Sequence, residues 1–356
     1  MTEAASQNGA GRLGVSLIAT VFNEADNIGR FAGSILAQTR RPDEVVIVDG
    51  GSTDGTPEVI RRELEGRVPL RIIVAPGLNI SQGRNRAIAE AAGPLIAASD
   101  AGCVLRPDWL EKLVAPLEAD AAVSVASGFY SMDCHSLLQQ CVGLATMPGQ
   151  LDPVNGETFL PSSRSVAFRK AAWEAVGGYP EWLYTGEDTL FDLKLKRMGF
   201  RFRFVGEAIV EWEPRRSWRA IYRQFFLYAR GGGHLGTCRD DILWDLKRLA
   251  AVVAIGVAGA FFGPLWLLWP LLFIYDHVNL VHAKAARVAR KLGSFKAYVV
   301  TSAALWMIRV ARSFGQVSGA WQRHKDPERY VQGLDAYMAN AGGRPPSDLQ
   351  DWGRGN

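Results

Sequence analysis

Charge of one sign is scarce in this chain. Lys and Arg number 40 against 36 Asp and Glu, which leaves a net charge of +4. That excludes a strongly basic nucleic-acid binder and an acidic, disordered solvating chain. Cysteine is scarce too. Cys103, Cys134, Cys141 and Cys238 form no Cys-x-x-Cys pair, and no histidine stands at zinc-like spacing. Free thiols in a reducing compartment are expected, not a structural zinc site. An apolar leader is missing: Met1–Gly14 is polar and small and reads as a loose tail, not a signal peptide. The catalytic part is therefore expected in the cytoplasm. Internal repeats and low-complexity tracts are absent. What the 356 residues do hold is 48% hydrophobic side chains, enough for a sizeable core. They also hold 11 Trp, most of them after residue 170, a ring that favours boundaries between apolar and wet regions.

Up to about residue 245, short β-branched runs alternate with amphipathic stretches. Val15–Ala19, Val45–Val48, Leu70–Val74 and Leu95–Ala98 have strand length. Ala25–Gln38, Thr56–Leu64, Ser81–Ala91 and Pro107–Leu117 have helical spacing. Strand and helix in strict alternation imply right-handed crossovers and a mostly parallel α/β sheet flanked by helices. Ligands on such sheets sit at the carboxyl ends of the strands. The polar clusters fall there: Thr20–Glu24, Asp49–Gly55 and Ser99–Gly102.

The first strand ends in Thr-Val-Phe-Asn-Glu, where Asn23 and Glu24 can meet a ligand or start a helix. The second ends in Asp49-Gly50-Gly51-Ser52-Thr53-Asp54-Gly55-Thr56, a carboxylate at a strand tip followed by a glycine-rich turn. That carboxylate can accept from a base N–H or a ribose hydroxyl. The turn has no Lys, so a Walker loop is excluded. Glu187-Asp188 follows Gly186, and reads either as an acid–base pair or as a charged helix start.

Taken together, Val15–Glu24 and Val46–Thr56 resemble the nucleotide-sugar half of glycosyltransferase family 2, which has the GT-A fold. Three further segments are similar to family motifs in the right order. They are Gln82–Ile88 with Arg84 and Asn85, Ser99–Leu110 with Asp100, and Gly177–Tyr179 followed by Gly186–Leu193. The resemblance implies that Thr20, Asn23, Glu24, Asp49, Ser52, Arg84, Asn85 and Asp100 bind a nucleotide-diphosphate sugar. It implies that Asp188, with Glu187, supplies the general base of an inverting transfer. The family's Asp-x-Asp places a divalent cation, Mg²⁺ or Mn²⁺, on its second carboxylate, and here that position is Gly102. Asp100 alone is a thin metal site. Either Asp100, phosphates and water hold the cation, with help from Glu211 or Glu213, or cations such as Arg215, Arg216 and Arg230 neutralise the leaving group. The chain lacks the Gln-x-x-Arg-Trp of the family's processive synthases, which implies non-processive transfer. A sugar-nucleotide pyrophosphorylase would need a glycine-rich basic loop after the first strand, and Thr20–Glu24 has neither glycine nor cation.

Leu249–Ile274 carries no charge and no Asn, Gln, Ser, Thr or His. As one helix it would reach ~39 Å, longer than a hydrocarbon core of ~30 Å. Gly263-Pro264 reads as a break, so a re-entrant membrane hairpin is expected, with a single span as the alternative. Asp276–Leu292 reads as a basic amphipathic helix on an anionic surface. Arg223–Arg230 reads as a basic aromatic helix, and Gly231–Gly233 as a hinge after it. The expected organisation is a tail at 1–13, a GT-A domain at 14–233, a helical membrane-associated region at 234–325 and a polar tail at 326–356. The expected partners are a nucleotide-sugar donor, a lipid-linked or cell-envelope glycan acceptor and the inner membrane, with catalysis on its cytoplasmic face and no nucleic acid. The rival reading is a catalytically silent, membrane-tethered nucleotide-sugar binding protein.

Overall fold

A computed structural model describes residues 12–341 apart from 238, and within these it leaves the side chains of residues 239–246 and 249 undescribed. Cys238, the expected N-terminal tail up to residue 11 and the chain from 342 lie outside the described residues. The chain forms two units that interleave in sequence. The first takes the described chain up to Ser131 together with Asn155–Trp212, and the second takes Met132–Val154 together with Glu213–Ala339.

In the first unit β1 (Val15–Val21), α1 (Ala25–Leu36), β2 (Glu44–Asp49), α2 (Thr56–Leu64), β3 (Leu70–Val74), α3 (Ile80–Glu90) and β4 (Leu95–Ala98) follow the expected alternation. Then come β5 (Cys103–Leu105), α4 (Trp109–Ala119) and β6 (Val123–Met132). One eight-stranded sheet has the order β3-β2-β1-β4-β7-β6-β8-β5. The strands β1 to β4 pair in parallel. The four strands on the other side enter through antiparallel pairings. There β7 (Val166–Arg169) pairs antiparallel with β4 and with β6, and β8 (Arg201–Trp212) pairs antiparallel with β5.

Both faces of the parallel half are covered, which is why β2 reads as an unbroken apolar run. Leu17, Val45, Ile47 and Leu95 pack with Phe31 and Ile35 of α1 and with Trp109 of α4. On the opposite face Ile18, Val46, Val48 and Ile96 pack with Ala87 and Ile88 of α3. Alternation along each strand sorts the side chains between the two cores. Full burial of a side chain such as Phe31 contributes about 1.5–3 kcal/mol.

The second unit is helical. It holds α5 (Leu137–Thr146), α8 (Trp218–Leu235), α9 (Arg239–Phe261) and α10 (Leu268–His277), then α11 (Ala283–Leu292) and α12 (Phe295–Lys325). The expected boundary after residue 233 falls inside α8, and α5 also belongs to this unit. The glycine hinge is corrected as well: Gly231–Gly233 continue α8. They are small because α12 crosses there. A Cβ on Gly233 would stand 2.5 Å from the Gln316 carbonyl oxygen. One on Gly315 would stand 2.2 Å from the Phe226 carbonyl oxygen, and one on Gly319 would stand 2.2 Å from that of Arg230.

The break at Gly263-Pro264 is present. The helix α9 stops at Phe261 and a 3₁₀ turn spans Gly263–Leu267. The chain then reverses, with Trp269 against Gly256 and Trp266 against Gly259, and an Arg248–Asp276 ion pair closes the two arms. The expected run Leu249–Ile274 is thus divided between two helices. Among the described residues, one helical stretch, Gly263–Leu292, is long and apolar enough to cross a membrane by length and composition. The basic face of Asp276–Leu292 is only partly available to a surface. Arg287 bonds the Asp152 carboxylate at 2.6 Å, and Lys291 donates to the Gln150 carbonyl oxygen at 2.6 Å.

Candidate active site

At the carboxyl ends of β1 and β2 two loops bind each other through side chain to backbone bonds. Asn23, at φ 54° in the left-handed region, accepts at Oδ1 from Thr53 N at 2.9 Å, and its own N donates to Ser52 Oγ at 2.8 Å. Glu24 N donates to Thr56 Oγ1 at 2.9 Å. Ala25 N donates to Asp54 Oδ2 at 3.0 Å, while Asp54 Oδ1 accepts from Thr56 Oγ1 at 2.6 Å. These bonds to the ionised form hold the Asp54 carboxyl below its ordinary range. Asp54 and Thr56 therefore brace the loop pair, a role the sequence does not single out. Asn23 and Ser52, expected on the donor, are two of the braces.

Asp49 is fully buried. Its Oδ1 accepts from Gly51 N at 2.8 Å and Ser52 N at 2.7 Å, closing the turn, and its Oδ2 is buried without a hydrogen-bond partner. Thr20 is half-buried at the end of β1, opposite Val48 in the sheet register.

The third constellation centres on Arg84. An Asn79 capping box starts α3, with Asn79 Oδ1 accepting from Gln82 N at 2.9 Å and Gln82 Oε1 accepting from Asn79 N at 3.0 Å. One turn later, buried Arg84 donates to Glu187 Oε1 at 2.7 Å and to Asp100 Oδ1 at 3.1 Å. It thereby links three of the motifs. Burial opposes its charge, but the Glu187 and Asp100 carboxylates outweigh that and raise its pKa, which keeps it cationic. Glu187, expected beside the base in the catalytic role, is buried and bonded to Arg84. Burial first, then the Asp188 carboxylate, push Glu187 up to about 7 against the pull of Arg84.

Helix α7 (Glu187–Arg197) begins after Gly186, whose φ of 83° suits glycine alone. Asp188 lies in its first turn, half-buried, with Oδ1 accepting from Thr189 N at 2.8 Å. Asn85, expected on the donor, clamps a loop in this structure. Its Oδ1 accepts from Tyr179 N at 2.8 Å and from Trp173 Nε1 at 3.0 Å. Its Nδ2 donates to the Tyr179 carbonyl oxygen at 2.9 Å and to Glu181 Oε1 at 3.0 Å. All four of its hydrogen-bonding positions are occupied.

The residues raised for a divalent cation do not assemble into a donor set. Gly102 offers no ligand, and both oxygens of Asp100 face guanidinium groups, Arg84 Nη2 at 3.1 Å and Arg164 Nε at 3.7 Å. Glu211 lies 3.5 Å from Arg106 Nε. Glu213 belongs to the second unit, where Arg216 and Gln139 bond it; the Arg216 bond above all holds it down to about 2. Among the described residues no group of three or more His, Cys, Asp or Glu could hold a metal ion.

Comparisons with known proteins place the chain among glycosyltransferases. The family model for glycosyl transferase family 2 matches residues 16–143, and that for glycosyl transferase family group 2 matches residues 95–311, more than half of the chain. Glycosyltransferase AglE of Haloferax volcanii is 24% identical over 222 residues, 61% of this chain and 72% of that protein. Succinoglycan biosynthesis protein ExoA of Rhizobium meliloti is 28% identical over 229 residues, 60% of this chain and 68% of that protein. Among solved structures, a mannosyltransferase of Pyrobaculum calidifontis in complex with GDP-Man and Mn²⁺ is 21% identical at a TM-score of 0.48, covering 93% of this chain and 86% of its own. With the family match running through most of both units, the chain belongs to glycosyltransferase family 2 and is an enzyme that transfers a sugar from a nucleotide-sugar donor.

Proposed function

We propose that the protein is an inverting, non-processive glycosyltransferase whose acceptor is a lipid-linked or cell-envelope glycan. The observation that carries the mechanism is the half-buried Asp188 carboxylate in the first turn of α7, next in sequence to Glu187, whose buried ion pair with Arg84 extends to the part-exposed Asp100. Asp188 accepts the proton of the acceptor hydroxyl, and the hydroxyl oxygen attacks the anomeric carbon. The bond to the nucleotide diphosphate breaks on the opposite face, so configuration inverts. Thr20 and Asp100 line the donor side at the strand ends, and Asp49, buried behind them, closes the turn that carries Ser52; its unpartnered Oδ2 would reach a base N–H only if that turn opens. Asp188→Asn lowers transfer by about 10³-fold, within the span of general-base contributions, and leaves nucleoside diphosphate binding within twofold. Near-normal turnover of the variant removes Asp188 from the role, and retained anomeric configuration in the product sinks the inverting assignment.

We place this activity at the cytoplasmic face of the inner membrane. Phe261, Phe262, Leu267, Leu271 and Phe273 project outward from the α9–α10 hairpin and its turn, which suits a hydrocarbon environment better than water. The name of ExoA, a succinoglycan biosynthesis protein, favours a glycan acceptor. In this reading the hairpin holds the enzyme where a lipid-linked acceptor is concentrated.

A further inference from the structure

We propose that Arg164 binds the diphosphate of the donor in the place where related sites use a divalent cation. The inference rests on the donor reading above and deepens it. Three observations meet at the carboxyl end of β4, beside the start of β7. First, β7 runs antiparallel to β4 with Leu95 opposite Arg169 and Ala98 opposite Val166. Continuing that register two residues past each strand end sets 164 beside 100. The side chains meet accordingly, with Arg164 Nε 3.7 Å from Asp100 Oδ2. Second, the Arg164 guanidinium lies over the Trp212 ring at 4.8 Å, and its Nη1 donates to Ser162 Oγ at 3.1 Å. The side chain is 19% exposed, so it is held in place yet reaches the surface at the strand ends. Third, Gly102 is exposed, and a Cβ added to it would meet nothing within 4 Å, so the second carboxylate is missing by residue choice and not for want of room.

A divalent cation at this strand end would have to displace two guanidinium groups from Asp100 and would find no second carboxylate. A diphosphate meets the opposite situation. Guanidinium presents a planar fork of N–H donors that matches two phosphate oxygens and carries a permanent positive charge. Arg84, already bonded to Glu187 and Asp100, adds positive charge behind the strand end. During transfer the acceptor oxygen forms its bond to the anomeric carbon and the acceptor proton passes to Asp188. The electron pair of the breaking carbon–oxygen bond stays on the diphosphate, whose added charge Arg164 meets.

The test is calorimetric titration of the full-length protein with UDP, GDP, ADP, CDP and dTDP, each in EDTA and each with Mn²⁺. The expected result is that the nucleoside diphosphate that binds does so in EDTA, within about threefold of its affinity with Mn²⁺. Arg164→Ala then weakens that diphosphate at least tenfold and leaves the matching nucleoside within twofold, while Arg164→Lys falls between. Arg164→Ala combined with Gly102→Asp binds the diphosphate more tightly in Mn²⁺ than in EDTA. Circular dichroism and thermal melting confirm that each variant is folded. Binding that needs Mn²⁺, or an Arg164→Ala protein that binds as the parent does, overturns the inference and leaves the donor reading standing. The double variant remaining indifferent to Mn²⁺ overturns the claim that guanidinium and cation share one place. No binding of any of the five diphosphates in either condition overturns the donor reading and the inference with it.

Discussion

The loops after β1 and β2 and the hairpin of α9 and α10 solve opposite problems. In the loops nearly every polar side chain turns inward onto a neighbouring backbone group, as Asn23, Ser52, Asp54 and Thr56 do. In the hairpin the interior contacts are made by Trp266 and Trp269 over glycines, and large apolar side chains face outward, Phe261 at 79% exposure. At about 25 cal/mol per Å² of apolar surface, such a face is costly in water and neutral in a bilayer. The comparison teaches that one fold can hold a water-facing polar rim and a surface built for another solvent. Each is recognised by where its side chains find partners.

The largest expected effect removes the second half of that contrast. Replacing Phe261, Phe262 and Leu267 together by Ser weakens vesicle binding by about 1.5–3 kcal/mol per side chain. Flotation with anionic vesicles measures it, and undiminished flotation of the triple variant refutes the membrane role of the hairpin. Next comes Gly319→Leu, whose Cβ would collide with the Arg230 carbonyl oxygen. Forcing α8 and α12 apart costs about 3 kcal/mol or more, read as a lower melting temperature. A variant as stable as the parent would show that the two helices slide freely. On the polar side, Asn85→Ala leaves Tyr179 N and Trp173 Nε1 without their acceptor. A cost of about 2 kcal/mol is expected by chemical denaturation, with no specific loss of nucleotide affinity. A selective loss of nucleotide affinity at full stability would return Asn85 to the donor site.

The remaining effect is a pH slope. The Glu187 pKa rises on folding from 4.5 to about 7, so the folded state binds the extra proton between those values. Stability from this group is greatest below pH 4.5, falls as pH climbs through the window and is level above it. Asp192, buried on α7 with one oxygen lacking a hydrogen-bond partner, is shifted upward mainly by burial and acts in the same direction. In melts between about pH 4.5 and 7, Glu187→Gln has a shallower decline than the parent. An unchanged decline would assign the whole slope to other groups.

The parallel half of the sheet was legible because its signals are local. Leu70–Val74, Leu95–Ala98 and Thr56–Leu64 occupy in the fold the spans their apolar spacing marks. The antiparallel half was not, since strands such as Val166–Arg169 are short and draw their stability from neighbours distant in sequence. The same limit explains the site. Five motifs lie in readable order, yet that Arg84 joins two of them follows only from tertiary packing, and Arg164 is brought to Asp100, 64 residues earlier, by strand register. Gly231–Gly233 carry a composition signal without its meaning: a glycine run loosens a loop or admits another helix, and the partner glycines 315 and 319 lie about 80 residues further on.

That glycine seam has an evolutionary consequence. Gly315 and Gly319 are one helical turn apart, and at each an added carbon would meet backbone, which cannot be trimmed by a compensating side-chain change. Two adjacent helices would have to shift as bodies before either position could vary. In an alignment of relatives that keep this crossing, the two columns should admit glycine almost alone. The outward-facing aromatics of the hairpin should drift among Phe, Leu, Ile and Trp, because only their apolarity is under selection.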